Sequence, residues 1–92
     1  MTPGNLYRVI LSPRAERAIA ESLPESVGFA VIALTRGALI ENPRRVGKPL
    51  GPPWAPAYVE RRSVYRVVYV IDDATRTVTV LAVAHRSRIY RR

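Results

Sequence analysis

The patterned part of the chain begins with "LYRVIL" (residues 6–11), a β-branched and aromatic run that reads as a short strand. Ser12 and Pro13 follow as a helix start: serine can accept backbone N–H bonds as N-cap, and proline is preset for the first helical turn. This helix is expected to run to about residue 22 and to turn Ala15, Ala18 and Ile19 inward. Pro24 breaks the pattern and opens a second helix over 25–41, in which Val27, Val31, Leu34 and Ala38 recur at helical spacing. The pair makes a helical hairpin with one apolar face, weakened somewhat by Gly28 and Gly37.

The next stretch, "NPRRVGKPLGPPWAP" (residues 42–56), holds five prolines and two glycines. Missing donors and fixed dihedrals read as a structured loop without regular elements, carrying Arg44, Arg45, Lys48 and, as an anchor, Trp54. After it, "AYVERR" (57–62) and "YRVVYVID" (65–72) read as strands around a tight turn near Ser63, and "DDATR", with Asp72 and Asp73 as turn formers, leads into "TVTVLAVAH" (77–85). Connections this short predict three consecutive antiparallel strands. The expected fold is α+β, with the helical hairpin on one face of a mainly antiparallel sheet and the other face left for arginines. Tyr58, Tyr65 and Tyr69 fit sheet and core positions.

Composition narrows the function classes. Ninety-two residues with 48% hydrophobic content suffice for one compact domain spanning 1–92. With no cysteine and one histidine, a disulfide framework and a thiolate metal site are excluded and a zinc site is disfavoured, so neither metal nor cofactor is expected. The apolar runs fall short of a membrane span, and the start lacks a signal-peptide layout; a soluble, cytoplasmic protein is expected.

Charge changes the picture most. Fourteen of the fifteen basic residues are arginine, and the net charge is +8. Four arginines balance four glutamates up to Pro43, whereas from Arg44 onward eleven basic residues face only Glu60, Asp72 and Asp73. Coding bias raises arginine content but does not segregate it, and a concentrated positive half suits a polyanion: nucleic acid or an acidic protein. The chain's end, "AHRSRIYRR", adds the lone histidine, a tyrosine and four arginines beside a strand terminus, with Arg91 and Arg92 contributing diffuse charge.

"NPRRVGKPL", "YVERRSVYRVVYVID" and "VTVLAVAHRSRIYRR" together resemble the RelE/ParE superfamily of bacterial toxins, specifically its RelE-type messenger-RNA interferases. The resemblance spans essentially the whole chain. It implies a β-α-α-β-β-β fold, a toxin that cuts messenger RNA in the ribosomal decoding site, and an acidic antitoxin partner. It also implies catalytic roles for Arg61, Arg66, His85, Arg86 and Tyr90, with Arg44, Arg45, Lys48, Arg62 and Arg88 as further RNA contacts. One position departs from the family pattern: Val59 stands where a basic residue is common, and Arg62 or Lys48 could supply the charge.

The chemistry fits these residue types. Metal-free cleavage uses the ribose 2′-hydroxyl against the adjacent phosphorus, and needs a proton acceptor, a clamp for the extra negative charge and a donor to the leaving oxygen. Arginine is a permanent fork of donors and a poor base, which suits Arg61, Arg66 and Arg86 to the clamp. Histidine titrates near neutrality, so His85 is the expected proton carrier, with Tyr90 the alternative or a stacking platform for a base. On a regular strand His85 and Arg86 point to opposite faces. A ParE-like toxin that inhibits DNA gyrase without nuclease chemistry is the competing reading, and a non-catalytic nucleic-acid-binding module the third.

Overall fold

A computed structural model describes residues 6–90; Arg91 and Arg92 lie outside them. Five strands form one sheet in the order β1-β5-β4-β3-β2, with β1 (Arg8–Leu11) parallel to β5 (Thr77–His85). The remaining pairs are antiparallel: β5 with β4 (Tyr65–Asp72), β4 with β3 (Tyr58–Arg62), and β3 with the two-residue β2 (Lys48–Pro49).

Ser12 ends β1 and caps α1 (Pro13–Arg17): its Oγ accepts from the Ala15 N–H at 3.1 Å and donates to the Leu81 carbonyl at 2.7 Å. One hydroxyl thus starts the helix and ties it to β5. The helix continues as a wider π-helical turn, Ala18–Ser22, before Pro24 leads into α2 (Glu25–Arg36). The single helix expected over 25–41 is two: Gly37, at φ −133° and ψ −98°, leaves helical geometry and separates α2 from α3 (Ala38–Glu41).

The proline-rich stretch also holds more order than its composition suggests. Pro43 begins the short α4 (Pro43–Val46), and Lys48–Pro49 adds to the sheet at its edge. Both positions tolerate proline, because a first helical turn has N–H groups without partners in any case and an edge strand needs only one side paired.

The helices cover one sheet face. Val31, Leu34 and Leu39 pack there against Val67, Tyr69, Val78, Val80 and Val83. Each fully buried aliphatic side chain of this kind contributes about 1.5–3 kcal/mol. Tyr69, wholly buried, stacks on Tyr58 at 5.6 Å, donates its hydroxyl proton to the Pro43 carbonyl at 2.6 Å and accepts from the Gly47 N–H at 2.9 Å. A side chain at Gly47 would collide with the Val59 carbonyl and the Tyr69 hydroxyl, so only glycine fits there.

One irregularity decides what each end of β5 faces. Val68 pairs with Ala82 but the next residue, Tyr69, pairs with Val80, which leaves Leu81 as an extra residue in β5. Inward positions of β5 are therefore even before the bulge (Val78, Val80) and odd after it (Val83, His85).

Candidate functional site

The face away from the helices is where β3 and β4 present alternate side chains: Val59 and Arg61 from one, Arg66, Val68 and Val70 from the other. Arg61 and Arg66 are direct partners across the hairpin, whose turn is made by Ser63 at φ 57°. Arg66 Nη1 donates to the carbonyls of Tyr65 at 3.2 Å and Ser63 at 3.4 Å, which folds the guanidinium toward the turn. Lys48 pairs with Val59 across β2 and β3, so it shares the face on which Arg61 and Arg66 stand. Lys48, rather than Arg62, is thus the cation beside Val59. None of Arg61, Arg66 and Lys48 has an ion pair among the described residues, so this corner of the face is uncompensated positive charge.

The rest of that face is not a bare arginine surface as expected. Leu50, Trp54, Ala57, Ile89 and Tyr90, with Arg14, line a hollow there together with Val68, Leu81 and Ala82. The rings of Trp54 and Tyr90 lie 5.3 Å apart, and Ile89 is buried. The loop that carries Trp54 is internally bonded: Trp54 N–H donates to the Gly51 carbonyl at 3.0 Å, Ala57 N–H to the Trp54 carbonyl at 3.1 Å, and Leu50 N–H to the Ala57 carbonyl at 2.9 Å. Tyr90 consequently sits on the same face as Arg66, beside the next outward residue of β4.

Arg86 reaches this end of the molecule through its backbone, donating to the Val64 carbonyl at 2.8 Å one pair beyond Tyr65 and His85. The chain then turns, with the N–H groups of Arg88 and Ile89 both bonded to the His85 carbonyl.

His85 is elsewhere. The Leu81 bulge puts it on the helical side, edge-on to Tyr65 at 5.6 Å, in a cleft with Arg14, Arg17 and Arg88. Its Nδ1 accepts the Ser87 N–H at 3.1 Å and lies 2.9 Å from the Ser87 hydroxyl. A neutral ring whose Nδ1 accepts carries its proton on Nε2.

Three further arginines also leave the cluster. Arg62 faces the helices and pairs with Glu60, and Arg45 lines a cleft there with Glu41, Asn42 and both members of that pair. Arg44 is at the opposite end of the sheet, where its two nitrogens grip both oxygens of Asp73 at 2.6 and 2.9 Å and the Tyr7 hydroxyl donates to Asp73 at 2.6 Å. Hydrogen bonds from Arg44, then Tyr7, lower the Asp73 pKa to about 2, and the same carboxylate raises that of Arg44. Burial pushes Tyr69 up to about 12.

The structure therefore brings together Arg61, Arg66, Lys48 and Tyr90 on one face, with the Arg86 backbone beside it. It separates off His85, Arg88, Arg62, Arg45 and Arg44. Trp54 is joined to Tyr90, a partnership that spacing in the sequence does not reveal. Among the described residues no group of three or more histidines and carboxylates could hold a metal, and no helix is long and apolar enough to cross a membrane.

Comparison with known proteins gives this arrangement its family. A family model described as the ParE toxin of the type II toxin–antitoxin system parDE matches residues 9–90. Toxin RelG of Mycobacterium tuberculosis (strain ATCC 25618 / H37Rv) is 42% identical over 86 residues, covering 94% of this chain and 98% of the relative. Toxin RelE of the same strain is 37% identical over 91 residues, covering 99% and 93%. In the crystal structure of the toxin–antitoxin complex RelBE2 from Mycobacterium tuberculosis, a chain 39% identical aligns with a TM-score of 0.80 over 89% of this chain and 93% of its own length. Likeness that runs from β1 to Tyr90, in sequence and in fold alike, leaves one conclusion: the chain belongs to the RelE/ParE family of toxins from type II toxin–antitoxin systems.

Proposed function

We propose that this toxin acts in the cytoplasm as a metal-independent endoribonuclease that cuts messenger RNA on the ribosome, and that the face carrying Arg61 and Arg66 holds the scissile phosphate. The observation that carries the reading is their direct apposition, without a carboxylate partner among the described residues, on the side of the sheet that the helices leave uncovered. Guanidinium forks suit the negative charge that grows on phosphorus in the transition state. Lys48 extends the positive track past Val59, and Arg86 continues it at the end of β5.

In the step itself the 2′-oxygen bonds to phosphorus, the bond to the 5′-oxygen breaks, and the products are a 2′,3′-cyclic phosphate and a 5′-hydroxyl. One proton leaves the 2′-oxygen and one reaches the departing oxygen. His85 is poorly placed for either, because it lies on the other face with Nδ1 already accepting from Ser87. Tyr90 and Lys48 are the proton-bearing side chains of the phosphate face, and Trp54 holds Tyr90 there. An incomplete set of acid and base groups is consistent with dependence on the ribosome, which would supply orientation of the message.

The RelBE2 likeness supports an antitoxin partner, and the positive surface supports an acidic one. A second reading, a toxin that inhibits DNA gyrase without nuclease chemistry, is favoured by the ParE description of the matching family model. A purified translation reaction read by primer extension, run beside a gyrase supercoiling assay, separates the two. The nuclease reading expects discrete cuts only when ribosomes are present; intact message with blocked supercoiling would establish the alternative.

A further inference from the structure

We propose that Trp54 selects the base of the message: its indole, with the Tyr90 ring and the apolar hollow beside them, receives a purine of a nucleotide adjoining the scissile phosphate. The identity of that phosphate rests on the nuclease reading; the fit of the hollow to a nucleobase does not. The hollow has a volume of about 150 Å³, and Leu50, Val68, Leu81 and Ile89 give it aliphatic walls beside the two rings.

Three observations point to a base. Val68 is the next outward residue of β4 after Arg66, about 7 Å along the strand. A phosphate held by Arg61 and Arg66 therefore has the base of its own or the following nucleotide within reach of the hollow. Trp54 and Tyr90 are 37% and 39% exposed, so both rings keep surface for stacking although they touch each other, and their planes diverge by 34°. Finally, Arg14 is the one charged side chain among the described lining residues, and its guanidinium is a donor suited to the acceptor atoms on a purine's edge.

Single-stranded RNA is held by a combination of cations along the backbone and aromatic platforms for the bases. Arg61, Arg66 and Lys48 supply the first, and Trp54 supplies the second. A peptide segment fits less well: it would need a row of pockets at helical or strand spacing, whereas a single hollow of this size takes one flat group. The backbone holds Trp54 on both sides, through its N–H to the Gly51 carbonyl and its carbonyl to the Ala57 N–H. A platform fixed in this way loses little freedom when a base arrives. Trp54 also stands in the loop between β2 and β3, apart from the groups that clamp phosphate, so replacing it separates base selection from phosphate binding.

The test uses the full chain and three hexanucleotides with 2′-O-methyl riboses, which have no free 2′-hydroxyl and are not cut: oligoadenylate, oligouridylate and an abasic strand. Trp54, the chain's one tryptophan, reports stacking through quenching of its emission by unlabelled strands, and fluorescein-labelled strands give affinities by anisotropy. Oligoadenylate should quench the emission and bind wild type roughly tenfold more tightly than the abasic strand, with oligouridylate between them. Trp54→Leu should lower the oligoadenylate affinity to that of the abasic strand and leave the abasic affinity unchanged, and Trp54→Phe should restore part of the preference. Equal binding of all three strands by wild type, or oligoadenylate binding without quenching, overturns the proposal. So does an equal loss for every strand in Trp54→Leu, the sign of a tryptophan that only holds the loop. Ribosome-dependent cleavage by wild type is measured in parallel. Base-dependent binding without any cleavage retires the nuclease reading and leaves the base site standing, whereas cleavage with base-independent binding does the reverse.

Discussion

Arg61 and Arg66 face each other directly across the β3–β4 hairpin, two like charges at neighbouring positions on one sheet face. Such a pair is unfavourable by a few tenths to about 1 kcal/mol relative to neutral partners. Arg61→Thr should therefore leave the folded state as stable as wild type or more stable by up to about 1 kcal/mol, read by urea denaturation. The same substitution should lower message cleavage by about a hundredfold, the scale of losing one transition-state donor. A substitution that costs both stability and activity would mean the arginine is structural.

Trp54 is the chain's one tryptophan, so its emission reports on the Tyr90 contact. It is 37% exposed with Tyr90 against it. Tyr90→Ala should expose the indole further and shift its emission to the red, together with a loss of about 0.5–1.5 kcal/mol for the aromatic pair. Unchanged emission would show that the C-terminal turn does not rest on Trp54 in solution.

Tyr69 bonds two backbone groups of the α4 region at once. Tyr69→Phe leaves the Pro43 carbonyl and the Gly47 N–H without that partner, at an expected cost of about 1–3 kcal/mol. The pH dependence follows in sign. The folded-state pKa, about 12, lies above the ordinary 10.0. The stabilisation is therefore fully present below pH 10 and lost as pH rises toward 12. Denaturation midpoints measured across that window should fall for wild type and change less for Tyr69→Phe.

At the other end of the sheet Asp73 is held below its ordinary carboxylate pKa by Arg44 and Tyr7. A depressed acid stabilises above its unfolded pKa and loses that contribution as pH falls, here from 3.8 toward about 2. Asp73→Asn should remove this component of acid sensitivity, seen as a smaller drop in thermal midpoint between those values. Because the pair is exposed, its strength should also fall with added salt.

Much of this architecture is written locally. Tyr65–Asp72 and Thr77–His85 are β-branched runs bounded by turn residues, and they form strands with those bounds. Ser12 and Pro13 start α1 by the chemistry expected of them. What is not local was harder to read. Nothing in "TVTVLAVAH" marks Leu81 as an extra residue, yet that one insertion reverses which side the end of β5 presents and moves His85 away from Arg61 and Arg66. Pro43 and Pro49 look like breakers until their neighbours place them at a helix start and a sheet edge. Arg44 and Arg62 read as free cations because Asp73 and Glu60 become their partners only through folding.

The most direct test of the account compares single-turnover cleavage of ribosome-bound message by wild type, Arg66→Ala and His85→Ala. If the phosphate lies on the uncovered face, Arg66→Ala should be slower by about a hundredfold or more, while His85→Ala stays within about threefold of wild type, as expected for a side chain that touches no reacting atom. The opposite ranking, with His85 indispensable and Arg66 dispensable, would contradict it.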